Sequence, residues 1–136
     1  LALFPQILSG ATDLTDVCSI IANPPEFIGR RVKIVATAHL TEEYMFIDGS
    51  ACRKAFQTGD HEWPKAIHVK FSTREAFEAS KRLKLSTRGG EFQGIIRAKK
   101  KYIFGNHESG ASAALGFGHL GMFAVEIVVK KLNDIR

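Results

Sequence analysis

Five stretches of this chain read as strands, most of them by an apolar residue at every second position, and one helical stretch stands between the third and the fourth. Val32, Ile34, Ala36, Ala38 and Leu40 alternate with Arg31, Lys33, Val35, Thr37 and His39, the signature of a strand with one buried face. A second, shorter strand is expected over Tyr44 to Ile47, apolar on both faces and ended by the turn Asp48-Gly49-Ser50. Arg53 to Pro64 is polar and reads as a long loop, after which Ile67, Val69 and Phe71 define a third strand. Ser72-Thr73-Arg74-Glu75 fits a capping box, and Ala76, Phe77, Ser80 and Leu83 supply the apolar face of the helix behind it. Gly89-Gly90 breaks the chain before a fourth strand marked by Phe92, Gly94, Ile96 and Ala98, where the mid-strand glycine suggests a bulge or bend. Gly105 to Gly121 reads as a long loop, and Phe123, Val125, Ile127 and Val129 form a fifth strand.

A short helix precedes the strands: Leu14, Val17, Cys18 and Ile21 fall on one stripe, with Thr12 or Asp13 as its cap and Asn23-Pro24-Pro25 as its end. The order that results, mainly β with two short helices, is that of the OB-fold, a five-stranded Greek-key barrel with a helix between its third and fourth strands. A ferredoxin-like sandwich needs a helix after its first strand, and Leu40 to Tyr44 leaves no room for one. With 136 residues, 45% of them hydrophobic and 24% charged, the composition is that of an ordinary globule and excludes a disordered, collagenous or all-membrane chain. A single domain over residues 14–136 is expected, with 1–13 as an apolar leading segment.

That segment opens Leu1-Ala2-Leu3-Phe4-Pro5 without Met, so the numbered chain reads as a fragment or a processed product. It is too short to span a bilayer. Its apolar run followed by Ser9-Gly10-Ala11 resembles the end of a secretory leader and its cleavage site, without the basic region that normally comes first. Leu8-Ser9-Gly10 also matches the start of a bacterial lipobox, but Ala11 stands where the lipid-bearing cysteine is required. The alternative is an apolar strand or helix packed on the body.

Cys18 and Cys52 are the two cysteines, too far apart for a CxxC element and too few for a four-cysteine metal site. Either they pair in an oxidising compartment or they are two buried thiols. Nineteen Lys and Arg against fourteen Asp and Glu give a net charge of +5, which favours anionic partners but falls short of a dedicated nucleic-acid arm. The densest basic run is Arg97, Lys99, Lys100 and Lys101, followed by Tyr102 and Phe104.

Asn23-Pro24-Pro25-Glu26-Phe27-Ile28-Gly29-Arg30-Arg31-Val32 resembles the opening of small exported bacterial proteins of unknown function with OB-like folds. Gly90-Glu91-Phe92-Gln93-Gly94 and Gly116-Phe117-Gly118-His119-Leu120-Gly121-Met122-Phe123 are similar to further elements of that group. The resemblance implies export, to the periplasm or cell envelope, and a barrel; it brings no substrate and no catalytic motif. A cytoplasmic location is the alternative.

An OB barrel binds on its second and third strands, so Tyr44, Phe46, His68 and Lys70, with Arg97, Lys99 and Lys101 beside them, are the candidate binding residues. Tyr44 and Phe46 share a face that is either this one or the core-facing one. Stacking rings and cations suit single-stranded nucleic acid, but Glu42 and Glu43 at the entrance of the second strand repel phosphate. An unidentified protein or small molecule is therefore the leading partner and nucleic acid the runner-up. A third reading places a metal or enzymatic site in the loop 105–121, where His107, Glu108 and His119 are weak ligand candidates lacking any HExxH-like spacing. His119, between Gly118 and Gly121, is better explained as pinning a tight glycine-rich loop. Gly116, Gly118 and Gly121 match the dinucleotide spacing by count, yet they precede a strand instead of opening a helix. No cofactor and no catalytic residue is expected.

Overall fold

The structure is a computed structural model that describes residues 14–98, 116–118 and 121–135. Its elements in chain order are helix α1 (Val17–Ala22), a 3-10 turn at Pro24–Phe27, strands β1 (Arg31–Ala36), β2 (Ala38–Leu40), β3 (Met45–Asp48), β4 (Gln57–Thr58), β5 (His61–Glu62) and β6 (Ala66–Phe71), helix α2 (Arg74–Arg82), and strands β7 (Gly90–Ala98) and β8 (Val125–Asp134). Six strands form one sheet in the order β1-β7-β8-β6-β3-β2. All neighbours are antiparallel except β6 and β8, which run parallel.

The two ends of that order, β1 and β2, are consecutive pieces of the single strand expected over 32–40. Ala36 pairs with Gly90 of β7, Ala38 pairs with Ile47 of β3, and Thr37 between them accepts from the Asp48 amide at 3.1 Å. One strand thus serves both edges and curls the sheet round on itself. Counting β1 and β2 as one strand leaves five, connected and ordered as in the OB-fold, with α2 between the third and fourth. The class is therefore mainly β with two helices, in an OB-like curled sheet.

Three sequence expectations shift in detail. Asp16, not Thr12 or Asp13, caps α1, its carboxylate accepting from the Ser19 amide at 3.2 Å. Thr73, not Ser72, caps α2, accepting from Ala76 at 3.1 Å, which places Ala76 where a capping box needs its carboxylate. Ser72 instead donates to the Val129 carbonyl at 3.1 Å and ties the helix start to β8. The loop 53–64 contains the two-residue ladder β4–β5, anchored by buried Trp63, whose indole donates to Thr58 Oγ1 at 2.9 Å.

The bulge expected at Gly94 lies there: the β7–β8 register shifts between Gln93 and Gly94. A Cβ at Gly94 would run into the Val128 carbonyl, so only glycine lets the strands meet there. Alternate residues point inward, where Val32, Ile34, Ile47, Ile67, Phe92, Ile96, Ile127 and Val129 form the core with Ile20 and Ile21 of α1. Cys18 and Cys52 are joined in a disulfide with a Cα–Cα distance of 5.3 Å, tying α1 to the turn after β3. Among the described residues no helix is long and apolar enough to cross a membrane.

Candidate functional site

The strand pairing settles which way Tyr44 and Phe46 face. Met45 and Ile47 are buried in the core, so their neighbours Tyr44 and Phe46 stand on the outer face, half-buried. Phe46 is the Cα partner of His39 on β2 and of His68 on β6. His68 is in turn the partner of Glu126 on β8, and Glu126 of Arg97 on β7. His39, Phe46, His68, Glu126 and Arg97 therefore form one row across five adjacent strands, on the face where OB barrels receive ligands.

The rings of the row collect around Phe123, which lies just before β8. Phe123 is 5.4 Å from Tyr44 edge-on, 6.0 Å from Phe46 in a stacked arrangement and 5.5 Å from His68, measured between ring centroids. His39 packs on Phe46 at 5.4 Å from the other side. These are the offset and tilted geometries that aromatic quadrupoles favour.

Glu126 organises the polar half. Its carboxylate is 5% exposed; Oε2 lies 2.7 Å from His68 Nδ1, and Oε1 accepts from Arg97 Nη1 at 3.1 Å. A carboxylate accepts, so His68 Nδ1 is the donor in this pair. The guanidinium of Arg97, 51% exposed, also lies 5.2 Å from the Phe117 ring centroid. Glu126 offsets the charge of Arg97, and the row presents rings beside directed hydrogen-bonding groups.

Phe117, Gly118 and Phe123 lie beside this row. Phe117 and Phe123 exchange backbone hydrogen bonds at 2.7 and 2.9 Å, and Gly121 donates to Gly118 at 3.1 Å within the turn. Gly118 and Gly121 both have positive φ, +78° and +65°. A Cβ on Gly118 would stand 2.7 Å from His68 Cδ2, so the bare backbone lies against the imidazole edge. At the far end of the row, Asp48 Oδ2 is 3.5 Å from His39 Nε2. The Ser50 amide holds the Asp48 carboxyl below its ordinary range against the opposing effect of burial, helped by the Ser50 hydroxyl and by His39.

Of the candidate binding residues, Tyr44, Phe46, His68 and Arg97 come together here, and Lys70 is exposed one step further along β6. Lys99, Lys101, His107, Glu108 and His119 lie outside the described residues. Among the described residues no three His, Cys, Asp or Glu side chains are grouped to hold a metal ion. Sequence reasoning missed His39, Phe117, Phe123 and Glu126. The signal for Glu126 was present, since it is the lone acid inside the apolar run Phe123 to Val129.

No protein-family model and no curated protein matches the chain. A structure of asparaginyl-tRNA synthetase from Pyrococcus horikoshii complexed with asparaginyl-adenylate is similar to it at 15% identity and a TM-score of 0.43. The match covers 94% of this chain, which spans 23% of the synthetase chain.

Proposed function

We propose that this chain is an exported, non-catalytic binding module that receives a ring-bearing ligand on the outer face of β2, β3 and β6. The observation that carries the reading is the in-register row His39, Phe46, His68, Glu126 and Arg97, with Tyr44 and Phe123 packed beside it. Planar side chains held by one another lose little conformational freedom when a flat ligand group settles on them. The Glu126-fixed guanidinium and imidazole supply direction. Export is supported by the Cys18–Cys52 disulfide, a bond that persists in oxidising compartments, and by the resemblance to small exported bacterial proteins.

The test uses indole, methyl glucoside and adenosine as probes in saturation-transfer NMR. At least one should receive magnetisation from the native protein and lose it in Tyr44→Ala/Phe46→Ala. Transfer that survives in the variant, or no transfer to any probe, contradicts the seat.

Single-stranded nucleic acid is the second reading, favoured by the half-buried rings of Tyr44 and Phe46 beside exposed Arg97 and Lys70. It ranks lower because Glu126 neutralises Arg97 and because Glu42 and Glu43 are exposed at the rim. Oligothymidylate binding that weakens steeply with salt and requires Phe46 would establish it.

A further inference from the structure

The same register that builds the ring row builds a different surface further round the barrel. Arg31, Ile95, Val128 and Lys70 are Cα partners across β1, β7, β8 and β6, and Lys33, Gln93 and Lys131 are partners across β1, β7 and β8 in the next row. The bulge adds Lys130, and Arg31, Gln93, Ile95, Lys130 and Lys131 border a groove of about 280 Å³ above it. This face thus displays Arg31, Lys33, Lys70, Lys130 and Lys131. Among the described residues no carboxylate lies within 4.0 Å of any of them. Glu91, in the row below, accepts from Asn133 Nδ2 and Gln93 Nε2, each at 3.1 Å, and attracts Lys33 and Lys131 from beyond ion-pair distance, offsetting one of the five charges.

We infer that this face docks on the surface of an anionic phospholipid bilayer. Neighbouring strands are about 4.8 Å apart, so Lys33 and Lys131 stand roughly 10 Å from each other with Gln93 between them. Five cations spread over such an area match a plane of charge better than one narrow track. Half-buried Ile95 and Val128 and exposed Val35 lie among the cations, and the rows hold no ring on which a nucleobase would stack. Leu14, 65% exposed, bridges to Lys33 and adds a further apolar side chain at this edge. Each Lys or Arg near an anionic surface strengthens partition about fivefold, and the effect fades beyond a Debye length.

Co-sedimentation with vesicles of phosphatidylcholine, with and without phosphatidylglycerol, tests this. The native chain should partition into the vesicles containing phosphatidylglycerol, and raised salt should release it. Lys33→Gln/Lys131→Gln and, separately, Arg31→Gln/Lys130→Gln should each weaken partition about 25-fold, from two charges at about fivefold each. Tyr44→Ala/Phe46→Ala should partition like the native chain, which separates this face from the ring row. The inference is overturned by equal binding to pure phosphatidylcholine or by no binding to either vesicle. It is equally overturned if both double variants stay within about twofold of native, or if the four cations instead govern capture of oligothymidylate while vesicles are ignored.

Discussion

Replacing Cys18 and Cys52 together by alanine removes a cross-link between positions 34 residues apart in sequence. In the chain-entropy account, a loop of that length restricts the unfolded ensemble by an amount worth about 3.8 kcal/mol at 25 °C. The native side loses little, because alanine fits the volume vacated by Cys52 in the core and Cys18 is half-buried on α1. A chain of 136 residues has an unfolding entropy of about 0.29 kcal/mol/K near its midpoint, so Tm should fall by about 13 °C. Thermal melts followed by circular dichroism, with the intact disulfide of the native protein verified by mass, give the number directly. Adding reductant should bring the native protein down to the variant's midpoint and leave the variant unmoved. A drop of under about 3 °C would correspond to less than about 1 kcal/mol and would refute the view that this bond carries a large share of the stability.

Gly118→Ala should cost about 1 to 3 kcal/mol in urea unfolding, because φ of +78° is strained for alanine and its Cβ would press on His68. Glu126→Ala should cost about 3 kcal/mol, since it strips the shared partner from His68 and Arg97; a His68/Glu126 double-mutant cycle should show coupling, and additivity would contradict the pairing. Asp48 and Glu91 are both held below the ordinary carboxylate range, Asp48 chiefly by the Ser50 amide and Glu91 chiefly by Asn133. Their folded pKa values lie below the unfolded ones, so the stability they contribute is present above the ordinary range and is lost as pH falls through the folded values. Asp48→Asn and Glu91→Gln should accordingly each flatten the acid limb of a stability-against-pH curve. A limb as steep as the native one would count against those hydrogen bonds.

Where alternation was clean, the sequence was a sufficient guide. The strands around Ile34, Val69, Ile96 and Ile127, the helix after Thr73 and the bulge at Gly94 follow from period and glycine placement alone. The break at Thr37 was not legible, because a strand that changes partners keeps its alternation on both sides of the switch. The direction of Phe46 was ambiguous for a related reason: Tyr44, Met45, Phe46 and Ile47 are all apolar, so only pairing with His39 and His68 distinguishes the faces. Glu126 and Arg97 are 29 residues apart and come together through the β7–β8 register, which the bulge sets and which local pattern does not encode. The β4–β5 ladder spans two residues on each strand, too short for any periodic signal.

The central claim, that the ring row is the ligand seat, is tested most directly by mapping amide chemical shifts while titrating the ring probe that gives the strongest saturation transfer. The account predicts perturbations centred on His39, Phe46, His68, Phe117 and Phe123, with the amides of Lys33, Gln93 and Lys131 unmoved. Shifts confined to those last three residues, or scattered evenly over the barrel, would contradict it.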